Sequence, residues 1–422
     1  MIAALVVAAL ALAAEPPNIL FVSVDTLRAD HLGCYGCPLN TSPNIDRLAK
    51  EALLFEDCIC EVPLTFPSLG SMLCSRFPRM TGTRRNGLKM PANVPLVTEQ
   101  FKAAGYYTFC VQSNWTLKAK LCGLDRGFDV YQDSFHTKRW GIVNPERAAE
   151  EVSRIALELL RNRPQNQPFF AWIHYSDPHA PYKKHRDYNP AGRKAWHWNK
   201  KDRVRARYAS EVAYADAHIG RVLEALPPNT VVVFTADHGE SLFEHGYLGH
   251  GRRIHQTGLH IPLIIRAPGL APGRTQAPVC GTDIGPTLLG LAGLPKCGGM
   301  LGTNLMAALP PAARARVIET YGGAVPKVPG AKALMAERRP MRQGVLHDGW
   351  KIILNGKDAE LYCLNNDPGE ENNLAEKEPA RLQQLRVLVE QWDKATQFNT
   401  QETEESLSPD DVQALESLGY LK

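Results

Sequence analysis

The stretch NILFVSVD, residues 18–25, decides how the chain reads: seven strand-like residues run without a break into an acid, Asp25. An unbroken apolar run of this length fits a strand covered on both faces, since a half-exposed strand would alternate. Two later runs repeat the pattern. PFFAWIHY, residues 168–175, passes into Ser176-Asp177-Pro178-His179, and TVVVFTA, residues 230–236, passes into Asp237-His238-Gly239. Helical patterns lie between them. PNIDRLAKEALLF reads as one helix opened by Pro43 and Asn44. LVTEQFKAAGYYTFCVQ reads as a helix, a stop at Gly105 and a strand, and a long helix is expected from about Val204 to Leu226. IPLIIRAPG, residues 261–269, adds another strand. Strands alternating with helices imply a doubly wound α/β sheet with helices on both faces. Ligands bind outside the carboxyl ends of strands in such sheets. Asp25, the pair Asp177 and His179, and the pair Asp237 and His238 are therefore expected along one edge.

The chain has 422 residues, enough for one large α/β domain, placed at 15–335, and a small C-terminal α+β subdomain, placed at 336–422. Residues 321–341 are rich in Gly, Pro, Lys and Arg and read as a loop or boundary. GVLHDGWKIIL then suggests a hairpin turning at Asp348-Gly349, and AELYCL a further strand. PARLQQLRVLVEQW puts Leu382, Leu385, Val389 and Trp392 on one helical face. The tail reads as a short helix with Ser408 as N-cap, Pro409 at its first position and Gly419 as its stop.

A net charge of +4 argues against a dedicated nucleic-acid binder. Residues 1–14, apolar and ending in small residues, read as a signal peptide, so the mature chain is expected to be exported, periplasmic or extracellular. The segment is short for a membrane span, and no other stretch is long and apolar enough to cross a membrane. Ten cysteines include the C-x-x-C of Cys34 and Cys37. One such pair without a second is a weak zinc signal, and structural or disulfide roles are the expectation.

NILFVSVDTLRADHLGCYG, SPNIDRLAKE, PLTFPS…TG, HYSDPHAPY, TADHGESLFEHG…GHG, IPLIIRAPG and LYCLNNDPGEENNLA, in this order, resemble the sulfatase family of the alkaline-phosphatase-like superfamily. The resemblance covers nearly the whole mature chain. It implies an alkaline-phosphatase-like mixed sheet and a metal-assisted hydrolase of anionic esters. Such esters repel nucleophiles, and a divalent ion offsets that charge. Asp25 and Asp237 would supply oxygen ligands, His238 an imidazole, and Thr65 would complete the site from a helix start that favours anions. Two carboxylates favour Ca²⁺, while the imidazole admits Zn²⁺ or Mn²⁺. Taken singly, Asp25 and Asp237-His238-Gly239 could be turn residues and Thr65 a plain helix N-cap.

The departures matter as much. Sulfate-cleaving members resembling this chain carry Cys or Ser, oxidised to formylglycine, where Thr65 stands. Threonine oxidation would give a ketone, so Thr65 cannot supply the aldehyde hydrate. The family's Arg is Leu69, its second N-terminal Asp is Thr26, and its G-K-W-H stretch is Ser113-Asn114-Trp115-Thr116. Other branches of the superfamily use an unmodified Thr as a metal-activated alkoxide. Asn86 falls where phosphonate monoester hydrolases resemble this layout with a substrate-binding Asn, and His250 where they place a Lys. His179 or His250 would protonate the leaving oxygen, unless each is only a hydrogen-bonded structural histidine. Asn114 is a further substrate-binding candidate.

The partner expected is an anionic ester: a sulfate, a phosphodiester or a phosphonate, free or on a glycan. The alternatives are a sulfuric ester hydrolase, transfer to an acceptor other than water, and a family member that binds its anion without cleaving it. Lys183, Lys184, His185, Arg186, Arg193 and Lys194 read as a solvated insertion, with Trp196 and Trp198 able to stack on sugars. His245 is a weaker candidate near the metal motif.

Overall fold

The computed structural model describes residues 15–135, 138–139, 142–143, 146–192, 199–322 and 340–396. Residues 1–14, the basic and aromatic residues at 193–198, the core of the 321–341 boundary and the tail helix at 408–419 lie outside the described residues.

Eight strands form the main sheet: β1 (Asn18–Val24), β2 (Leu53–Phe55), β3 (Tyr107–Val111), β4 (Val130–Gln132), β5 (Phe169–Tyr175), β6 (Thr230–Ala236), β7 (Leu263–Arg266) and β8 (Gly273–Thr275). Their order across the sheet is β8-β2-β7-β6-β1-β5-β3-β4. The central pairs β6-β1, β1-β5 and β5-β3 are parallel, and β7 runs antiparallel to both neighbours. The sheet is therefore mixed. Residues 169–175 and 230–236 are buried throughout, so their unbroken apolar sequence reflects cover on both faces. Each fully buried Val, Ile or Phe there contributes about 1.5–3 kcal/mol of transfer free energy. Helices α1 (Pro43–Lys50), α2 (Thr65–Cys74), α3 (Ala149–Asn162) and α4 (Lys200–Glu224) flank the sheet.

Two sequence boundaries moved. PNIDRLAKEALLF is a helix only to Lys50, and Leu53–Phe55 pairs instead with Leu263–Ile265. Backbone pairing with a neighbouring strand overrides the helical reading there. The long helix starts at Lys200, capped by Asn199, whose side-chain oxygen accepts from the Asp202 N–H.

The second sheet holds β9 (Arg316–Thr320), β10 (Arg342–His347), β11 (Trp350–Asn355) and β12 (Asp358–Cys363), all antiparallel. Its first strand precedes residue 335. Asp348 and Gly349 both have positive φ (52° and 72°), as a two-residue hairpin turn of this kind requires. Helix α5 (Pro379–Ala395) packs Leu385 and Val389 onto this sheet. All ten cysteines are free thiols. Among the described residues no helix is long and apolar enough to cross a membrane.

Candidate active site

Strand register builds the site. Val24 of β1 is level with Tyr175 of β5 and with Ala236 of β6. The next residues, Asp25, Ser176 and Asp237, therefore emerge together at the carboxyl edge. The ladder continues one step into them: the Asp25 N–H donates to the Tyr175 carbonyl (2.8 Å) and the Asp237 N–H to the Val24 carbonyl (3.3 Å). Val111 of β3 is level with Ile173, which carries Asn114 to the same edge.

Four of the expected residues converge. Asp25, Thr65, Asp237 and His238 are all 0 % exposed. His238 Nε2 lies 3.7 Å from Asp25 Oδ1, 3.6 Å from Asp237 Oδ2 and 3.5 Å from Thr65 Oγ1. Its Nδ1 lies 2.8 Å from the Gly239 carbonyl, which can only accept. Nδ1 therefore carries the proton of the neutral ring, and Nε2 turns a lone pair toward two carboxylates. Burial, with the nearby histidines adding to it, pushes His238 well below its ordinary value and keeps it neutral. Burial raises Asp237 well above its ordinary value, and the Asp25 charge adds to the rise. Asp25 is raised too, by burial above all.

This set of acceptors fits a cation. Asp25 Oδ1 and Asp237 Oδ2 are buried with no hydrogen-bond donor. Buried polar atoms normally find partners, and like charges in one buried place are costly. A divalent ion held by Asp25, Asp237 and His238 would satisfy both. The other oxygens are already fixed: Asn114 Nδ2 donates to Asp25 Oδ2 (2.7 Å), and the N–H groups of Thr26 and His238 donate to Asp237 Oδ1 (3.0 and 2.6 Å). Asn114 thus orients a candidate ligand; its Oδ1 also accepts from the Thr116 N–H (3.0 Å). Thr26 has φ 56°, an uncommon conformation for a β-branched residue, and the Tyr208 hydroxyl holds its carbonyl (2.6 Å). Gly239 is required by close packing, since a Cβ there would collide with the Thr257 carbonyl oxygen.

Thr65 is not a helix cap. Leu64 takes the N-cap position, and Thr65 is the first residue of α2. The Ser68 hydroxyl donates to the Asp237 carbonyl (2.6 Å), tying the first turn of α2 to the metal motif. Asn86 Oδ1 accepts from the Phe66 N–H (2.9 Å), and Asn86 Nδ2 is buried without a hydrogen-bond partner.

His179 and His250 stand at the mouth of the cluster. Their rings are 5.3 Å apart, and His250 is 4.5 Å from His238. Each meets a carboxylate at Nδ1: His179 meets Glu146 (2.7 Å) and His250 meets Glu240 (3.2 Å). Burial alone would lower His179, but Glu146 and Asp25 outweigh it and raise it to about 10.

Three groups were missed in the sequence: Glu146, Glu240 and His174. His174 lies within β5, level with Ser23. Trp172 Nε1 donates to Ser23 Oγ (2.9 Å), and His174 Nδ1 lies 2.9 Å from the same oxygen. His174 Nε2 faces Asp25 Oδ2 at 3.9 Å. Burial holds His174 neutral, at about 3. It is near enough to be a ligand, since Asp25, His174 and Asp237 offer atoms within 4.8 Å of one another. A lone histidine level with Ser23 in an apolar strand was the available signal.

Other expectations land elsewhere. Asp177 turns away and accepts from the Ala149 N–H at the start of α3 (2.8 Å). The basic cluster is not wholly solvated, because His185 stacks on Tyr214 (3.9 Å) and pairs with buried Glu211 (2.7 Å). His245 stacks on His255 (3.9 Å) and, with Arg28 and Thr257, lines a separate cavity of about 760 Å³. Room alone does not mark the chemistry: the convergent acceptors are at Thr65.

The mixed sheet with its helices and C-terminal antiparallel sheet is an alkaline-phosphatase-like fold. Residues 17–294 match the sulfatase family model, so the chain belongs to the sulfatase family of ester hydrolases. It is 27 % identical to an uncharacterized sulfatase, YidJ, of Escherichia coli strain K12, over 85 % of this chain and 83 % of that protein. It is 25 % identical to the N-acetylglucosamine-6-O-sulfatase of Bacteroides thetaiotaomicron, over 93 % of this chain and 88 % of that one. The solved phosphonate monoester hydrolase of Agrobacterium radiobacter superposes with a TM-score of 0.72 at 19 % identity, over 93 % and 98 % of the two chains, which shows the shared fold.

Proposed function

We propose that the chain is an exported hydrolase that depends on a divalent cation and cleaves phosphodiesters or phosphonate monoesters, with Thr65 as its nucleophile. One observation carries this reading. The Thr65 hydroxyl, on the first residue of α2, lies 3.5 Å from the unprotonated nitrogen of His238, inside the carboxylate cluster. A divalent ion, Ca²⁺ by the two carboxylates or Zn²⁺ or Mn²⁺ by the imidazole, would offset ester charge and lower the hydroxyl pKa.

The protein's own groups do the rest. Thr65 Oγ1 attacks the phosphorus or sulfur, and the bond to the leaving oxygen breaks. His179 or His250 protonates that oxygen. Asn86 Nδ2 donates to a non-bridging oxygen. Water then cleaves the Thr65 ester. An unmodified threonine can form this ester but cannot release it as formylglycine does, which favours phosphorus esters over sulfates. Sulfate cleavage is the second reading, supported by family membership and the N-acetylglucosamine-6-O-sulfatase relative. Export is supported by the apolar residues 1–14 with their small-residue ending.

The test is a hydrolysis panel. It sets aryl sulfate, phosphate monoester, phosphodiester and phosphonate monoester against Ca²⁺, Zn²⁺ and Mn²⁺, with Thr65→Ala alongside. Cleavage of the diester or phosphonate that disappears in Thr65→Ala is the expected result. Cleavage of sulfate alone favours the second reading. Binding without any turnover favours a non-cleaving anion binder.

A further inference from the structure

Glu146 comes from a segment remote from every strand end that builds the site. It precedes helix α3, and its backbone forms an isolated antiparallel bridge with Asn114. Asn114 is the residue that holds Asp25. From that bridge the largely buried Glu146 side chain reaches the equally enclosed His179, with Oε1 to Nδ1 at 2.7 Å. One short contact thus ties the imidazole at the mouth to the backbone that orients a candidate cation ligand. A buried carboxylate is costly unless paired, so the position demands the imidazole as its partner.

We propose that Glu146 is a positioning residue: it fixes the His179 ring through Nδ1 and keeps that ring the proton donor to the leaving oxygen. The inference rests on the ester-cleaving function proposed above. In the step, Thr65 Oγ1, entering as the alkoxide with its proton already given to solvent, forms its bond to phosphorus as the bond from phosphorus to the leaving oxygen breaks, and it leaves as the alkoxide again when water cleaves the ester. The His179 Nε2 proton moves to that oxygen. The ring regains a proton from the water that cleaves the Thr65 ester, and Glu146 neither gains nor loses one. The charged and titratable groups facing the ring besides Glu146 are Asp25, Asp237, Glu240, His250, His174 and His238. Asp25 and Glu240 among these, with Glu146, favour the imidazolium despite its burial.

The test compares two phosphodiesters, one with a 4-nitrophenyl and one with an alkyl leaving group. An aryl oxide leaves without a proton, and an alkoxide does not. Glu146→Gln, close in shape to the native side chain, and Glu146→Ala should each lower kcat on the alkyl ester by about 100-fold and on the aryl ester by less than about 5-fold, with KM little changed. An equal fall on both esters, or none on either, overturns the proposal. Nitrogen NMR of the His179 ring gives a readout independent of turnover. Two protonated nitrogens at neutral pH in the wild type and one in Glu146→Gln is the expected result; identical spectra overturn the proposal. A wild type that cleaves no ester, or a Thr65→Ala variant as active as the wild type, would instead contradict the proposed function, and the ring spectrum would still decide whether Glu146 holds the proton.

Discussion

Two buried charged places differ in one respect. In the C-terminal sheet, Lys351 meets Glu370 at 2.5 Å, with side chains 0 % and 1 % exposed. Glu370 also accepts from the Gln256 N–H (2.6 Å), so the pair joins the two sheets' surroundings. Fully buried Arg79 likewise meets Glu319 and donates to Asp393 (2.7 Å). At the strand ends, Asp25 and Asp237 are as deeply buried, yet the third group facing them is a histidine lone pair. The first place carries its own cation at contact distance, whereas in the second Asp25 Oδ1 and Asp237 Oδ2 have no hydrogen-bond donor. Burial of charge is tolerated when opposite charge is at hand. The pairs at Lys351 and Arg79 are therefore structural, and the strand-end cluster is where we propose that a cation from solution binds.

The contrast can be broken experimentally. The largest effect should be on chemistry: Thr65→Ala is expected to reduce ester turnover at least about 1,000-fold while cation binding, followed by calorimetry, persists. Next, Glu370→Ala should destabilise the protein by about 3–5 kcal/mol in urea unfolding, because it strands a buried ammonium. The double replacement Lys351→Met with Glu370→Leu should recover most of that loss. Adding a cation at about 100 times its Kd should raise the unfolding free energy by about 2.7 kcal/mol, and chelation should reverse it. Asp237→Asn should abolish that response and stabilise the chelated protein by about 1 kcal/mol, since it relieves an uncompensated carboxylate pair. An equal cation response in Asp237→Asn would remove the distinction between the two places.

The smallest effect is in pH. His179 is raised from an ordinary 6.5 to about 10. A raised imidazole contributes stability that is complete below the unfolded value and lost as pH climbs through the folded one. The wild-type Tm should therefore fall between pH 6.5 and about 10 more than that of Glu146→Gln.

The strand-end acids were legible because unbroken apolar runs end on them, and a run of seven residues has few other readings. Leu53–Phe55 was not legible as a strand. Three residues cannot show a period, and their pairing with β7 comes from more than two hundred residues away in the chain. Thr65, Asp25, Asp237 and His238 were found through local motifs. Glu146 and Glu240 had none, since a carboxylate that matters only through the imidazole it meets leaves no trace in its own neighbours. His185 was misread for the same reason: its partner Glu211 lies on a helix whose register brings it there only in the folded chain.

The most direct test of the central claim is to quench the reaction of a slow phosphodiester and map the protein's peptides by mass. The account predicts a phosphoryl ester on the peptide that begins α2, located at Thr65 and absent from Thr65→Ala. Steady turnover with Thr65 unmodified, undiminished in Thr65→Ala, would contradict it.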